Sequence, residues 1–513
     1  MKRVSLTVAF VVAASLVLVP AASAIDKVNT QKLRKGVTVA GIIEHARAFQ
    51  RIANENGGNR AATTPGYDAS VAYVQQRLEA AGYDVQLDEF NFAQWTKNGP
   101  STLERVSPDP TTWVEDTDYV VSQFSAGDDV TADVFVAGNT VIPPPDGAGT
   151  SVSGCDPDDF DGAAGKIALI QRGTCPFVQK YQNAEDAGAV AALIFNDGFE
   201  GREDPFFITA PQDYSIPAAM ISNDIGEELV AQAEAGTVTL RFVVDATTTP
   251  IKQYNVLADT GGNPDRTIVV GAHLDSIEEG PGINDNGSGA AGILEIAEEM
   301  AELGIEPRNR IRFAWWGAEE AGLVGSDAYV AGLSPAELSQ HEANLNFDMI
   351  GSANFVRFVY DGDLSDSAPP PGGAAAGSAQ IEDLFLRYFD RQGLATEPTA
   401  FDGRSDYGPF IENGVAAGGL FTGAEGIKTE EQEAIYGGVA GLAYDPCYHQ
   451  ACDTFTNLSH EVLDQMSDAA AHATLTLAKS KSPITKAQGG KKQKAKSSRR
   501  GRAFRFQGPF QTR

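Results

Sequence analysis

The residues best placed to do chemistry fall in 271–289, GAHLDSIEEGPGINDNGSG. His273 and Asp275 stand two apart after the β-branched run 267–270, so in an extended chain their side chains share a face. That pairing suits a metal-bound imidazole backed by a carboxylate. Asp285 follows in a glycine-rich loop, ahead of a helical pattern of Ile293, Leu294, Ala297 and Met300 that Gly304 stops. A histidine and an aspartate offered from neighbouring loop ends are donors that zinc takes. Asp, Asn and Gly also fill ordinary turns, so this stretch alone leaves metal binding and turn chemistry both open.

Further donors follow downstream. Glu319 and Glu320 leave the apolar strand 310–316 side by side, and two carboxylates at such an exit repel each other unless cations are near. One binding metal while the other holds a proton would account for the pair; a solvated helix start is the competing reading. Asp348 ends the apolar run LNFDMIG, where a buried carboxylate needs a partner. Tyr448 and His449 lie between Cys447 and Cys452, and a disulfide there would fix the imidazole. Together His273, Asp285, Glu320, Asp348 and His449 supply two histidines and three carboxylates, a set that suits two zinc ions sharing one bridging carboxylate. His45, His341, His460 and His472 sit in helical or loop settings without such company and read as ordinary structural residues. The acidic loop CDPDDFDGAAG reads as a solvated turn, since Pro157 and the lack of a glycine-centred ligand ladder argue against calcium.

The elements that must position these residues follow from periodicity. Helices are expected over 37–56 and 68–81, with a strand over 83–92. From about 119 short β-rich runs dominate (119–124, 130–136, 166–171, 189–195, 216–221), with one helix over 178–187. Past 245, strands 254–259, 267–272, 310–316 and 344–348 alternate with helices 290–303, 325–331, 379–392 and 460–478, and 366–378 reads as a surface loop. This rhythm predicts an α/β fold: a mixed, mostly parallel sheet sandwiched by helices, with functional groups at the carboxyl ends of its strands.

The chain has 513 residues, enough for two or three domains. Lys2 and Arg3, the apolar run 4–19 and Ala22-Ser23-Ala24 spell a secretory signal peptide, so the mature protein is expected to be soluble and exported, with no membrane span. Four cysteines in an exported chain suggest disulfides; three pairings are possible, and proximity favours Cys155–Cys175 with Cys447–Cys452. The net charge of −30 conceals an asymmetry. From 479 onward there are 12 Lys or Arg and no acid, while the 27 Lys and Arg of the remainder face all 69 Asp and Glu, a charge of −42. An acidic body repels nucleic acid. The basic tail lacks apolar periodicity and reads as disordered, solvated or clipped, with contact to an anionic cell wall as an alternative.

Taken in order, GAHLDS, GPGINDNGSG, RFAWWGAEEAGLVGS, LNFDMIGS, DGRSDY, GGLFTGA and CYHQACDT closely resemble the secreted bacterial di-zinc (leucyl) aminopeptidases. Their metallopeptidase family also includes glutamate carboxypeptidases, glutaminyl cyclases and the transferrin receptor. GNRAATTPGYDASVAYVQQRLEAAGY resembles the start of the same peptidase domain, and GKIALIQRGTCPFVQKYQNAEDAGAVAALIFND resembles a protease-associated (PA) domain. The resemblance covers roughly 37–478. Between the signal peptide (1–24) and the basic tail (479–513), it implies an N-terminal part of the peptidase domain (25–118), an inserted β-rich PA domain (119–246) and the zinc peptidase domain (247–478).

Carried over by position, the resemblance makes His273 and Asp348 ligands of one zinc, Glu320 and His449 ligands of the other, and Asp285 the bridge. Glu319 matches the general base, Asp275 the carboxylate behind the histidine ligand, Tyr448 the hydroxyl that holds the tetrahedral intermediate, and Arg404 an arginine that contacts substrate. Tyr407 stands where a histidine is expected, which touches substrate fit. Relatives also bind calcium near the C-terminal helix, where Asp464 and Asp468 fall without identifiable partners. The implied activity is removal of large apolar, leucine-like residues from peptides with a free N-terminus. Other members imply alternatives, an inactive receptor or adhesion protein, or a carboxypeptidase or cyclase. All five ligand positions and the base are present, and the match around NDNGSG and CYH favours the aminopeptidase. The PA domain is left open between peptide binding, gating and a spacer role.

Overall fold

A computed structural model describes residues 25–484 apart from 26, 145–146, 207–214, 371–372 and 374. The expected signal peptide and the tail beyond 484 lie outside the described residues. Runs of β-branched and aromatic residues build two eight-stranded sheets. The first has the order Val85–Lys97, Ala246–Asp259, Asn309–Trp316, Asn263–His273, His341–Phe347, Ala416–Phe421, Phe358–Tyr360, Glu397–Thr399. From Asn309–Trp316 to Ala416–Phe421 the neighbours run parallel. On either side the next pairings are antiparallel, and the last pair, Phe358–Tyr360 with Glu397–Thr399, is parallel again, which makes the sheet mixed with a parallel centre.

Burial on both faces explains why the second halves of two central strands, IVVGA in 268–272 and FAWW in 313–316, are unbroken apolar runs. Ile268, Val270, Phe313, Trp315 and Leu345 belong to the large core, with Ile293 and Leu294 of helix Gly287–Glu302 and Val462 and Met466 of helix His460–Lys479. Their neighbours Val269, Ala314 and Trp316 belong instead to a smaller core with Tyr329 and Phe410. Successive residues therefore serve opposite faces, as a strand requires.

Strand Ala416–Phe421, sequence AAGGLF, was not anticipated by periodicity, because its glycines carry no hydrophobic signal. They are there for space. A Cβ on Gly419 would lie 1.9 Å from the Asn346 carbonyl oxygen, and one on Gly418 would strike Ile381 of helix Ser378–Gln392.

The second sheet, Thr111–Trp113, Thr102–Ser107, Thr239–Val244, Asp128–Val136, Ile167–Gln171, Ala191–Phe195, Ala218–Ile221, Tyr119–Val121, is inserted between Val85–Lys97 and Ala246–Asp259, which pair in register from Val85↔Ala258 to Lys97↔Ala246. Sheet membership draws in Thr102–Trp113 ahead of the expected boundary at 119, because Leu103 and Trp113 bury in the second core. At the other end, Ser480 and Ile484 are buried and Arg266 donates to the carbonyls of Ser480, Lys481 and Ser482, so the first residues of the expected tail belong to the folded body. Cys155–Cys175 and Cys447–Cys452 form the disulfides.

Helix Gly287–Glu302 is also held from outside. Arg77 grips Glu298 through two hydrogen bonds of 2.7 Å, and buried His45 stands 3.5 Å from the same carboxylate. Burial opposes ionisation of Glu298, but His45 and Arg77 outweigh it and hold the group at about 2, against its ordinary 4.5. A carboxyl depressed in the folded state stabilises above its unfolded pKa and loses that contribution as pH falls through the folded value. Glu298→Gln is therefore expected to cost ~1–3 kcal/mol in urea unfolding at neutral pH. Wild type and variant should converge between pH 4.5 and about 2; a gap independent of pH would assign the loss to packing instead.

Candidate metal centre

Three of the parallel strands deliver the site at their carboxyl ends. His273 is the last residue of Asn263–His273, Glu319 and Glu320 follow Asn309–Trp316, and Asp348 follows His341–Phe347. The strand of His273 lies between the other two, so the donors converge at the carboxyl end of the parallel centre, where open α/β sheets bind ligands. Asp285 comes from the loop before helix Gly287–Glu302. There Asn286 caps the helix by accepting from Gly289 N, and a Cβ on Gly289 would lie 2.1 Å from Phe347 O. The helix start thus rests directly on the Asp348 strand. Ala318, Met349 and His449 all have positive φ (55°, 49° and 54°), so the backbone bends in a sparsely populated region beside each of these donors.

The nine sequence-predicted residues come together around Asp285. Its Oδ1 is 3.2 Å from His273 Nε2 and its Oδ2 is 3.2 Å from His449 Nε2. His273 Nε2 also lies 3.2 Å from Asp348 Oδ1, and His449 Nε2 lies 3.0 Å from Glu320 Oε2. Glu319 Oε2 is 3.9 Å from His273 Nε2. Asp275 stands behind, its Oδ1 3.7 Å from His273 Nδ1, and accepts from the backbone N–H of Glu319 at 3.1 Å and of Glu320 at 3.3 Å. The Tyr448 ring stacks on His449 with centroids 3.9 Å apart, and its hydroxyl accepts from Arg404 Nη2 at 3.1 Å.

Electrostatics set the chemistry. Burial disfavours charge on His449, but Glu320 and Asp285 push its pKa up to about 11; His273 is raised well above its ordinary value by Asp348 and Glu319 against the same opposition. Burial likewise resists ionisation of Asp285, yet the two imidazoles pull it below the usual carboxylate range. Glu320 is pushed up to about 7 by burial and Asp285, and Glu319 well above its ordinary value, chiefly by burial. Without other cations the imidazoles must carry protons to offset the carboxylates. Divalent ions would take over that role.

The donor set fits zinc. Two ligands bonded at ~2.0 Å with a tetrahedral angle are ~3.3 Å apart, and the donor pairs here are 3.0 to 3.2 Å apart. Glu320 Oε1 is buried without a hydrogen-bond partner among the described residues, as a carboxylate turned toward a cation would be. Calcium at Asp464 and Asp468 has no such support: Asp468 Oδ2 accepts from Arg34 at 3.0 Å and from Tyr388 at 3.3 Å. Neither residue joins the groups of clustered donors found among the described residues.

Several residues missed by sequence reasoning hold this centre. Asp453 accepts from the backbone N–H of Asn284 and Asp285 at 2.9 Å each, and Asp445 accepts from Asn284 and Asn457, tying the Asp285 loop to the disulfide loop of His449. Ser405 donates to Asp348 Oδ2 at 2.6 Å. Tyr407, which the sequence did single out in the place of an expected histidine, donates to Asp402 at 2.8 Å and accepts from Gly403 N, bracing the turn that presents Arg404. Arg60 is fully buried, stacks over Phe49, and donates to the carbonyls of Leu274, Pro281 and Gly282. One guanidinium thus closes the loop between His273 and Asp285. Only its place in the quoted GNRAA motif could have flagged it.

A profile of peptidase family M28 matches residues 255–474, and one of the PA domain matches 136–229. An aminopeptidase of Pseudomonas aeruginosa is 47% identical over 476 residues, covering 91% of this chain and 85% of that protein. The chain belongs to peptidase family M28. Another relative, named "probable leucine aminopeptidase 2" in Aspergillus oryzae, is 40% identical over 435 residues, covering 83% of this chain and 82% of that protein. Among solved structures, a zinc aminopeptidase from Bacillus subtilis matches this M28 chain with a TM-score of 0.56 and 25% identity, over 88% of this chain and 98% of that one.

Arg60→Met removes a charge that has no carboxylate partner among the described residues and strands three carbonyls. The metal-free variant is expected to lose ~3–5 kcal/mol in urea unfolding. Zinc affinity, measured by competition with a chromogenic chelator, should fall ~10–100-fold, the usual cost of losing an outer partner. Unchanged affinity in a folded variant would remove Arg60 from the support of the centre.

Proposed function

We propose that this M28 peptidase is a secreted aminopeptidase that uses two zinc ions to remove large apolar residues, leucine-like in size, from peptides with a free N-terminus. The observation that carries this reading is Asp285, whose two oxygens each face a different histidine at 3.2 Å. His273 and Asp348 would hold one ion, Glu320 and His449 the other, and Asp285 both. When bound, zinc supplies Lewis acidity, polarising the scissile carbonyl and making a water acidic enough to lose a proton near pH ~7.

The protein's own residues do the rest. Glu319 is buried, borders the cleft and stands 3.9 Å from His273 Nε2, where it can take the proton of the attacking water and pass it to the leaving nitrogen. Asp275 fixes Glu319 and Glu320 through their backbone N–H groups. Arg404 donates to the Tyr448 oxygen, which leaves the phenol hydrogen free to point at the substrate carbonyl oxygen as it gains charge. Burial keeps that phenol protonated. Glu319 and Asp348 border the cleft and suit an α-ammonium group. Beside them Leu323, Met349, Tyr360, Phe421 and Ala424 supply an apolar wall for one side chain.

Export is supported by the two disulfides, which persist in oxidising compartments. Among the described residues no helix is long and apolar enough to cross a membrane.

A leucine-initiated peptide with a free N-terminus should shorten stepwise under mass spectrometry, while its acetylated twin stays intact and a chelator stops the reaction. Loss from the C-terminus would overturn the specificity. Glu319→Gln should keep its zinc yet lose ~10²–10⁴-fold in kcat; normal turnover would take the base role from Glu319. Ala424→Leu, which fills the apolar wall, should shift kcat/KM from leucine toward alanine substrates by ~10-fold or more. An unaltered ratio would place the side-chain pocket elsewhere.

A further inference from the structure

At the opposite end of the main sheet, Ile25, residues 27–34, helix Ser378–Gln392 and the second half of helix His460–Lys479 line a cavity of about 750 Å³. Arg308 N donates to Ala478 O, which puts the end of the C-terminal helix beside the start of strand Asn309–Trp316; the far end of that strand runs into Glu319. The cavity shares no residue with the metal cleft. Its volume falls among those of small-molecule sites, roughly 300–1,000 Å³.

The wall is cationic in an acidic protein. Among the described residues that line it, Lys27, Arg34, Arg387 and Arg391 face one carboxylate, Asp383, whereas the whole chain has 69 Asp and Glu against 39 Lys and Arg. Asp383 is already held by Arg387, and Arg34 by Asp468 at 3.0 Å. Lys27 and Arg391 make no ion pair among the described residues. Arg391 and Arg387 lie one helical turn apart, so their guanidinium groups rise from one face.

The anchor of Arg391 is unusual. Its Nη2 meets Nε2 of His472, which is 8% exposed, at 3.4 Å. A guanidinium only donates, so Nε2 accepts and the ring hydrogen resides on Nδ1, 2.7 Å from Thr30 Oγ1. Burial, Arg391 and Arg34 push His472 down to about 4, so the ring is neutral and leaves the Arg391 charge uncompensated. Having accepted from the ring, Thr30 Oγ1 retains its own hydrogen to donate. The Thr476 hydroxyl, on a residue 2% exposed that also lines the cavity, has no partner among the described residues. Stacking of Tyr388 on His472 at 4.9 Å, with Arg34 over the Tyr388 ring, makes this wall rigid before any ligand arrives. Val28 and Leu384 add apolar surface.

We propose that this cavity is a binding site for a small organic dianion, remote from the metal centre, which bridges the N-terminal segment to the two helices. One acidic group fits between Arg387 and Arg391, and the second faces Lys27 and the hydroxyls. A ligand so placed pins residues 27–34 to the body and raises the melting temperature.

The test is isothermal titration calorimetry of the zinc-loaded enzyme with glutarate, with inorganic phosphate and with acetate as a monoanion control. Each titration is repeated on the Arg387→Ala/Arg391→Ala variant. These two side chains are exposed and lie outside the catalytic cleft, so the variant should fold and hydrolyse peptide at the wild-type rate. The expected result is saturable binding of a dianion to wild type, weakened at least ~10-fold in the variant, with a melting shift that is lost in parallel. Binding of glutarate alone assigns a dicarboxylate and binding of phosphate alone a phosphate group; either upholds the site. Equal binding to both proteins would place the anion elsewhere, the metal centre included, and overturn the proposal. So would the absence of saturable binding to wild type by either dianion.

Discussion

Crowding Asp285, Glu319, Glu320 and Asp348 around two imidazoles out of water is the constraint on which the rest of the structure depends. At a separation of 4 Å and an effective dielectric near 20, each like-charge pair costs ~4 kcal/mol. The protein meets that cost in layers. His273 and His449 lie within 3.2 Å of Asp285, Asp348 and Glu320, and Arg60 adds a buried positive charge behind the loop without touching any of them. Backbone N–H groups absorb the outer acids, two on Asp275 and two on Asp453. What remains is a surplus of negative charge between the histidines, where a pair of divalent cations is stabilised.

Holding such a group still requires stiff supports. The donors hang from strands buried on both faces, which cannot tilt without breaking the packing of Trp315, Trp316 and Leu345. Left-handed backbone at Ala318, Met349 and His449 turns the chain sharply where it leaves the elements, and the surrounding hydrogen bonds over-determine each bend. The Cys447–Cys452 disulfide closes the loop of His449, while Asp453, one residue beyond it, grips the loop of Asp285. Two ligands far apart in sequence are thereby registered to each other.

The inserted sheet leaves this arrangement intact because of where it enters. Val85–Lys97 and Ala246–Asp259 pair residue for residue up to Lys97 and Ala246, so the insertion opens from the end of a ribbon whose other end is locked into the main sheet. Helix His460–Lys479 joins the two ends of the peptidase unit. Ser459 N, at its start, donates to Gly351 O near Asp348, and its last turns carry His472 and Thr476 into the cationic cavity.

The linear sequence carried the donor residues and much of the frame. Period-two runs such as RIRFAWW could be nothing but buried strands, the pattern after NDNGSG nothing but a helix, and His273, Asp285, Glu319, Glu320, Asp348 and His449 all stood at the ends of such elements. Those signals are local, carried by residues a few positions apart. The rest was decided by contacts across long separations. AAGGLF is a strand because Asn346 and Ile381 leave no room for a Cβ, and residues 480–484 are folded because Arg266 and Glu342 hold them. Arg60, Asp453 and Ser405 matter through partners between 57 and 222 residues away. That Asp285 faces one histidine with each oxygen, and that arginines gather around a neutral His472, are likewise properties of the packed chain, because only folding sets the distances on which electrostatics acts.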